Sequence, residues 1–220
     1  MDDSAADALQ RMTAAMQLSD NAEPKQTLRL TTDMEPHRLQ TRDGETDAWV
    51  LPGFADEMAR AIQLVLTSNS LAIAEQTRGA VLLHAALAMR HGCAVAFAGA
   101  GDSGKSTTVN RLPAPWQTLS DDACLVVPTA DGFRAHPWPT WSQFMFDGPG
   151  GSWPVETSYP LAAIYFLEQA STDAVTPIGP GTASGSLPPL TNQVLDANLR
   201  HYNAEQRQRI RLQAFDNICA

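Results

Sequence analysis

The chain has 220 residues, of which 44% are hydrophobic and 18% are charged, and its formal net charge is −9. This length allows one well-cored domain, or one domain plus a small lobe, and excludes two large domains. The composition is that of a globular protein. The acidic balance excludes a nucleic-acid binder, which needs a basic surface to displace counterions from phosphates.

The cysteines and the N-terminal sequence indicate the cellular location of the protein. The cysteines are odd in number and far apart, without CxxC spacing: Cys93, Cys124 and Cys219. This pattern is typical of a reduced compartment. The N-terminus is acidic where a signal peptide is basic, and the most apolar stretch, residues 81–99, contains His84 and Arg90. We therefore expect a cytoplasmic protein without a membrane segment.

The start of the chain predicts an arm followed by a folded domain. Residues 5–18 favour a modest helix because apolar residues recur on one face, and the polar residues 19–26 are typical of a linker. We therefore divide the chain into an N-terminal arm, residues 1–26, and a single domain, residues 27–220. The arm is expected to be either mobile or docked on a partner.

The domain is predicted to be α/β, with a mixed β-sheet flanked by helices. Its core is assigned to residues 81–170 and its C-terminal helices to 192–218. Apolar runs bounded by turn formers predict strands, and apolar residues at helical spacing predict helices. The predicted elements are strands 28–32 and 48–51, helix 56–67, a hairpin of 81–89 and 93–98 turning at residues 90–92, helix 104–112, strands 124–127, 133–136 and 162–167, and helices 192–202 and 204–218.

Two stretches rich in turn-forming residues are predicted to be irregular. Residues 137–154 are rich in Trp, Pro and Gly. They form either a lid or substrate contact, or a packed surface loop with buried tryptophans. Residues 177–189 are rich in Gly, Pro and Ser and are expected to lead into the C-terminal helices.

A glycine-rich motif lies between a predicted strand and a predicted helix. The pattern GxxxxGK[ST] is satisfied by Gly99, Gly104, Lys105 and Ser106. In such a loop, glycines aim backbone N–H groups at phosphates, and the start of the following helix adds the positive end of its dipole. The residues assigned to nucleotide binding are Gly99, Ala100, Gly101, Asp102, Ser103, Gly104, Lys105, Ser106 and Thr107.

The same motif predicts ATP, or another nucleoside triphosphate, together with Mg²⁺. Lys105 is expected to reach the terminal phosphates, and Ser106 is expected to offer its hydroxyl to the metal. Two alternatives stay open, namely a chance glycine-rich turn and a degenerate site that binds nucleotide without turning it over.

Acidic residues and one histidine complete the candidate site. Asp121 and Asp122 come directly before an apolar strand, where phosphoryl transferases hold their metal, and adjacent carboxylates on an extended chain point to opposite sides. A helix cap or turn is the alternative interpretation. His84 lies on the strand that the hairpin pairs with the glycine-motif strand, so we expect it beside the phosphates, although a lone histidine is usually a core residue.

These three segments resemble a known group of kinases. Leu83-His-Ala-Ala86, GAGDSGKST and Leu119-Ser-Asp-Asp122 are similar to the core of HPr kinase/phosphorylase and of ATP-dependent phosphoenolpyruvate carboxykinase. The resemblance covers about Val81 to Val127. It implies a P-loop fold of that type, with Ser106 as a metal ligand, Asp121 supporting the metal shell, and Asp122 with His84 as the catalytic or metal-proximal pair.

The chain departs from both full-length families and resembles a more compact group. HPr kinases have Glu where this chain has Thr107, and the chain is shorter than either family. It resembles the HPr-kinase-related proteins of peptide-modification gene clusters, including the SynChlorMet cassette type (ScmC). His136-Pro-Trp-Pro-Thr-Trp141 and residues 159–168 add to this likeness. The resemblance implies a serine or similar hydroxyl on a peptide or protein as the acceptor.

The leading hypothesis is therefore a Mg²⁺/ATP-dependent kinase acting on a hydroxyl. Asp122 is predicted to be its base, and Lys105 to stabilise the transferred charge. The alternatives are a nucleotide-binding scaffold or sensor subunit and a small-molecule enzyme of the carboxykinase kind. Arg134, Arg78, Arg200 or a neighbouring subunit of a homo-oligomer is a candidate for the assisting cation.

Overall fold

The computed structural model describes residues 3–19, 27–31, 39–42, 45–49, 57–140, 151–200 and 202–220. Its helices are α1 Asp3–Met16, α2 Glu57–Glu75, α3 Lys105–Arg111, α4 Pro180–Leu199 and α5 Ala204–Cys219, with a 3-10 turn at Gln76–Arg78. Its strands are β1 Thr27–Thr31, β2 Leu39–Arg42, β3 Glu45–Trp49, β4 Val81–Leu83, β5 Ala85–Arg90, β6 Cys93–Ala98, β7 Gln117–Ser120, β8 Cys124–Thr129, β9 Gly132–Pro137 and β10 Tyr159–Phe166.

The strands form two sheets. The smaller has the order β1-β3-β2, and the larger has seven strands in the order β4-β8-β9-β10-β6-β5-β7. Neighbours in the larger sheet are antiparallel except for β6 and β10, which are parallel. The predicted α/β class with a mixed sheet and flanking helices is thereby confirmed at this level of detail.

The larger sheet curls because two short connections cross between its halves. A single residue, His84, joins β4 to β5, yet these strands occupy the first and sixth positions in the sheet. Residues 121–123 likewise join β7 at one edge to β8 in the second position. Because β4 pairs with β8 and β5 pairs with β7, these two runs form one long antiparallel ladder that bends at both connections.

Side chains along the bent ladder alternate between two faces, as the strand period of two requires. Inside the curl lies a cluster that includes Ala85, Ala94, Ala96 and Ala98. The outer face of β5 and β6 packs Val95 and Phe97 against α3, while the outer face of β4 and β8 packs against the long helices.

The N-terminal helix belongs to the core of the chain. Met12 and Met16 of α1 are buried with Leu64 of α2 and with Trp153. The backbone N–H of Trp153 donates to the carbonyl of Ala15 at 2.7 Å, which fixes this loop against the helix. The helix predicted at residues 5–18 is confirmed, and it is docked on its own chain.

Most predicted elements are confirmed, with several corrections. The hairpin turns at His91 and Gly92, whose φ values of 52° and 78° are those of a two-residue type I′ turn. The strand predicted at 81–89 is split at His84, α2 continues to Glu75, and β2 and β7 were not predicted. The linker from residue 20 onward and the ends of the strands predicted at 28–32 and 48–51 lie outside the described residues.

The irregular segment predicted at residues 177–189 is wrong for most of its length. Helix α4 starts at Pro180 and runs through Pro188 and Pro189. Pro180 suits the first turn of a helix, where the missing N–H has no intrahelical partner. The later prolines each remove a helical hydrogen bond. Burial of Leu195 and Leu199 further along the helix offsets that cost.

The long loop predicted at residues 137–154 is partly described. Trp138 and Trp153 are buried in the main core cluster, in agreement with the interpretation as a packed loop with buried tryptophans. Residues 141–150, including Trp141, lie outside the described part of the chain.

Two global properties complete the description. Within the described ranges, no helix combines the length and apolar character needed to cross a membrane. All three cysteines are unpaired, Cys93 and Cys219 being exposed and Cys124 buried. Burial raises the pKa of the Cys124 thiol to about 12.

Replacing Met12 with Ala tests whether α1 contributes to the core. Met12 is buried, whereas Leu9 on the same helix is 42% exposed. We expect Met12→Ala to lower the free energy of unfolding by about 2–4 kcal/mol, because it opens a cavity, and Leu9→Ala to change it by less than about 1 kcal/mol. Urea denaturation of both variants measures the difference. Equal effects would show that α1 does not share the core.

Candidate functional site

The site is built around the glycine loop, residues 99–106, which joins β6 to α3. Gly104 has φ of 96° and Asp102 has φ of 62°, so both backbones adopt a left-handed conformation. A Cβ added to Gly99 would lie 2.4 Å from Ser103 Oγ, closer than real contacts allow. The loop therefore closes on itself tightly, and a side chain at position 99 would force Ser103 to shift.

Parallel pairing brings a second strand end to the loop. Because β6 and β10 are parallel, both finish at the same edge of the sheet, where ligands of open α/β sheets bind. Leu167 N–H donates to the Ala98 carbonyl at 2.8 Å, and Gln169 Nε2 donates to the Asp102 carbonyl at 2.9 Å. The residues after β10 thus hold the tip of the glycine loop.

Lys105 is buried under the loop. Its ammonium donates to the carbonyls of Gly99 at 3.1 Å and Ala100 at 3.0 Å, and lies 3.8 Å from Asp122 Oδ1. Desolvation by burial lowers the pKa of Lys105, and the carboxylates of Asp122 and Asp102 partly oppose this shift. The acidic residues therefore favour the charged form of Lys105, which burial disfavours.

His84 and Asp122 form the central contact of the site. His84 Nε2 lies 2.7 Å from Asp122 Oδ1, and the His84 side chain is 10% exposed. When Asp122 is ionised it accepts, so Nε2 carries the donated hydrogen. One carboxylate oxygen thus faces both an imidazole and an ammonium, and the three residues that the sequence assigned to catalysis lie together.

Asp121 faces different partners from Asp122, as expected for adjacent residues on an extended chain. Its carboxylate oxygen Oδ1 accepts a hydrogen bond from Thr140 Oγ1 at 3.3 Å, and its backbone carbonyl accepts one from Ser106 Oγ at 3.3 Å. The hydroxyl of Ser106 is therefore beside the acidic pair. The predicted metal ligands Ser106, Asp121 and Asp122 lie at one end of the curled sheet.

Two buried polar atoms in this region have no hydrogen-bond partner among the described residues. They are His84 Nδ1 and Ser103 Oγ. Buried polar atoms are normally satisfied, and an exception calls for an explanation such as strain, a bound water or ion, or a catalytic role. Both atoms belong to residues that contact the glycine loop or Asp122.

Other predicted residues take more peripheral places. Thr107 and Asp102 are exposed. The candidate arginines each have a local partner: Arg134 donates to Ser158, Arg78 pairs with Glu75, and Arg200 pairs with Asp196. Helix α3 has only seven residues, so the dipole contribution expected from its start is small beside the contacts of the loop itself.

Three contacts to the site were not predicted. Thr140 bonds to Asp121, Gln169 holds the loop at Asp102, and a Cβ on Gly101 would meet Gln193 Nε2 of α4 at 3.5 Å. Thr140 lies in the stretch that carried part of the family resemblance. Gln169 could have been found only by knowing that β10 runs parallel to β6.

Gly99→Ala tests the close approach within the loop. The added methyl overlaps Ser103, so we expect a loss of about 1–3 kcal/mol in the free energy of unfolding. The double variant Gly99→Ala/Ser103→Gly removes the overlap and should recover most of this loss. Gly181→Ala in α4, where nothing lies within 4 Å, is the matched control and should be neutral or slightly stabilising. A full loss in the double variant would contradict the packing explanation.

The chain matches a known protein family. The sequence model of SynChlorMet cassette protein ScmC matches residues 50–220, which includes the curled sheet, the glycine loop and both C-terminal helices. No curated protein matches the chain. The match spans well over half of the chain and agrees with the ScmC resemblance seen in the sequence. The chain therefore belongs to the SynChlorMet cassette protein ScmC family.

Proposed function

We propose that this protein is an ATP-binding P-loop phosphotransferase of the HPr-kinase-like type, which moves the γ-phosphate to a serine hydroxyl of a peptide or protein. The observation that supports it best is the position of Asp122. Its Oδ1 lies 2.7 Å from His84 Nε2 and 3.8 Å from Lys105 Nζ, at the base of the glycine loop. Groups of opposite charge that meet in a partly buried site are typical of acid–base and phosphoryl-transfer chemistry.

The glycine loop suits a triphosphate. Its left-handed backbone at Asp102 and Gly104 and the tight approach of Ser103 to Gly99 are features of loops that present N–H groups to an anion. Ser103 Oγ, buried without a partner in the described structure, is a further donor for a phosphate oxygen. Lys105 carries the only positive charge in residues 99–106, and it would bind the terminal phosphates.

Residues near the loop also fit Mg²⁺. This ion prefers oxygen ligands and is usually held by one or two carboxylates together with substrate phosphates. No group of three His, Cys, Asp or Glu residues comes together in the described ranges. Ser106 and Asp121, with Asp122 beside them, would hold the ion, which would neutralise charge on the phosphates.

In this proposal each residue of the candidate site has a defined role. Lys105 neutralises charge on the transferred group, and Asp122 accepts the proton of the attacking hydroxyl. The bond from His84 Nε2–H orients the Asp122 carboxylate toward the acceptor. Thr140 orients Asp121 through a 3.3 Å bond. The serine acceptor is the part of the proposal that depends on the sequence resemblance.

The direct assay uses the full chain with Mg²⁺, γ-labelled ATP and a pool of serine-containing peptides. Transfer of label to a peptide supports the proposal. If the protein binds ATP but yields neither labelled peptide nor ADP, it is a nucleotide-binding scaffold. Absence of ATP binding would contradict both functions.

Lys105→Met should greatly weaken nucleotide binding while the protein stays folded. The ammonium is the cation of the glycine loop, and methionine has a similar length without charge. We expect ATP affinity, measured by calorimetry, to fall by about 100-fold or more, which corresponds to losing a buried charge-assisted bond. Unchanged affinity would show that the loop does not bind phosphates.

Asp122→Asn should separate binding from transfer. The change removes the proposed base, so we expect the rate of label transfer to fall by about 10²–10⁴-fold while ATP still binds. Loss of the Asp122 charge also lowers the pKa of Lys105 further, because that carboxylate is the first of the groups that raise it. Asp131→Asn, at the exposed β8–β9 turn, is the control and should behave as the unmodified protein. Full activity in Asp122→Asn would remove this residue from the mechanism.

A further inference from the structure

A groove between α4 and α5 lies outside the residues assigned to the nucleotide site. It is lined by Pro188 of α4 and by residues from one face of α5: Arg207, Gln208, Arg211, Leu212 and Phe215. Its volume is about 490 Å³. Sites of that size hold a small molecule or a few side chains, so the groove suits a short segment and not a whole domain.

The floor of the groove is apolar and exposed. Leu212 is 53% exposed and Phe215 is 45% exposed, although they lie one helical turn apart on the same helix. A neighbouring face of α5 already packs on the protein, because Ala214 is buried and Ile218 packs against the cluster inside the curled sheet. The exposed pair is therefore not needed to attach α5 to the protein.

Two arginines border the apolar floor. Arg207, Arg211 and Phe215 are spaced by four residues and form one stripe along α5. In the described part of the chain, neither arginine makes an ion pair, whereas Arg209 on the same helix pairs with Glu205 and Arg200 pairs with Asp196. Two positive charges beside an apolar floor are complementary to a segment that carries both acidic and large apolar residues.

A second copy of this chain is a poorer occupant. A two-fold contact places the same patch on both partners, which would bring Arg207 and Arg211 of each copy toward their equivalents. The net charge of −9 on each copy also opposes their approach. The local positive charge of the groove can instead attract an acidic segment that lacks the rest of this surface.

We propose that the α4–α5 groove docks an acidic segment of a partner protein, with a large apolar side chain of that segment resting on Leu212 and Phe215. The carboxylates of the segment pair with Arg207 and Arg211. The groove lining contains no residue of the glycine loop. The docking proposal can therefore be tested without reference to nucleotide binding.

The test uses the full chain and a short fluorescent probe peptide in which Asp and Glu alternate with Leu and Phe. Binding is measured by fluorescence anisotropy, with two further probes in which Lys replaces the acidic residues or Ser replaces the apolar ones. We expect the acidic apolar probe alone to bind. The double variant Arg207→Glu/Arg211→Glu should weaken its affinity by about tenfold or more, and Leu212→Ser/Phe215→Ser should do the same.

Arg209→Glu is the matched control, since Arg209 lies on the same helix, is 74% exposed and pairs with Glu205 away from the groove lining. It should leave the affinity within about twofold of the unmodified protein. Circular dichroism melting verifies that each variant is folded. No binding of the acidic apolar probe, equal binding of all three probes, or an equal loss in Arg209→Glu would overturn the proposal. So would a dimer, seen by light scattering, that the Arg207→Glu/Arg211→Glu variant abolishes.

Discussion

The hydrogen bond between His84 and Asp122 joins the two points at which the sheet bends. His84 is the single residue between β4 and β5, and Asp122 lies in the short connection between β7 and β8. Both connections cross between halves of the same curled sheet, so a contact between them fixes the bend of the whole ladder. This hydrogen bond of 2.7 Å therefore stabilises the fold and is also part of the candidate site. Because the His84–Asp122 bond belongs both to the fold and to the candidate site, the geometry of the site depends on the curvature of the sheet.

The burial of Lys105 shows how the fold and the proposed chemistry depend on each other. Burying an ammonium is costly unless it is paired and hydrogen-bonded. Here two loop carbonyls and the nearby Asp122 carboxylate provide those partners, and burial still lowers the pKa of the lysine. An anion bound at the glycine loop, as proposed, would stabilise the charged form of Lys105 further.

The two proposals concern separate surfaces of the molecule. The glycine loop lies at the end of β6, where β10 also finishes, and the α4–α5 groove is formed by the C-terminal helices. Helix α4 contributes to both, since Gln193 approaches Gly101 and Pro188 lines the groove. Residues 50–220, which the ScmC family model matches, contain both surfaces. In the proposed phosphotransferase, the proposed docking groove would select a peptide or protein by contacts away from the acceptor hydroxyl.

The sequence by itself determined the local features of this protein: the apolar strands, the hairpin turn within residues 90–92, the glycine loop, and the proximity of His84 to that loop. Each depends on residues close in the chain or on a tight hairpin. The tertiary structure decided the bend at His84, the helix through Pro188 and Pro189, and the contacts of Thr140 and Gln169. These depend on pairings between distant strands and on burial of α4, and local propensity carries no information about either.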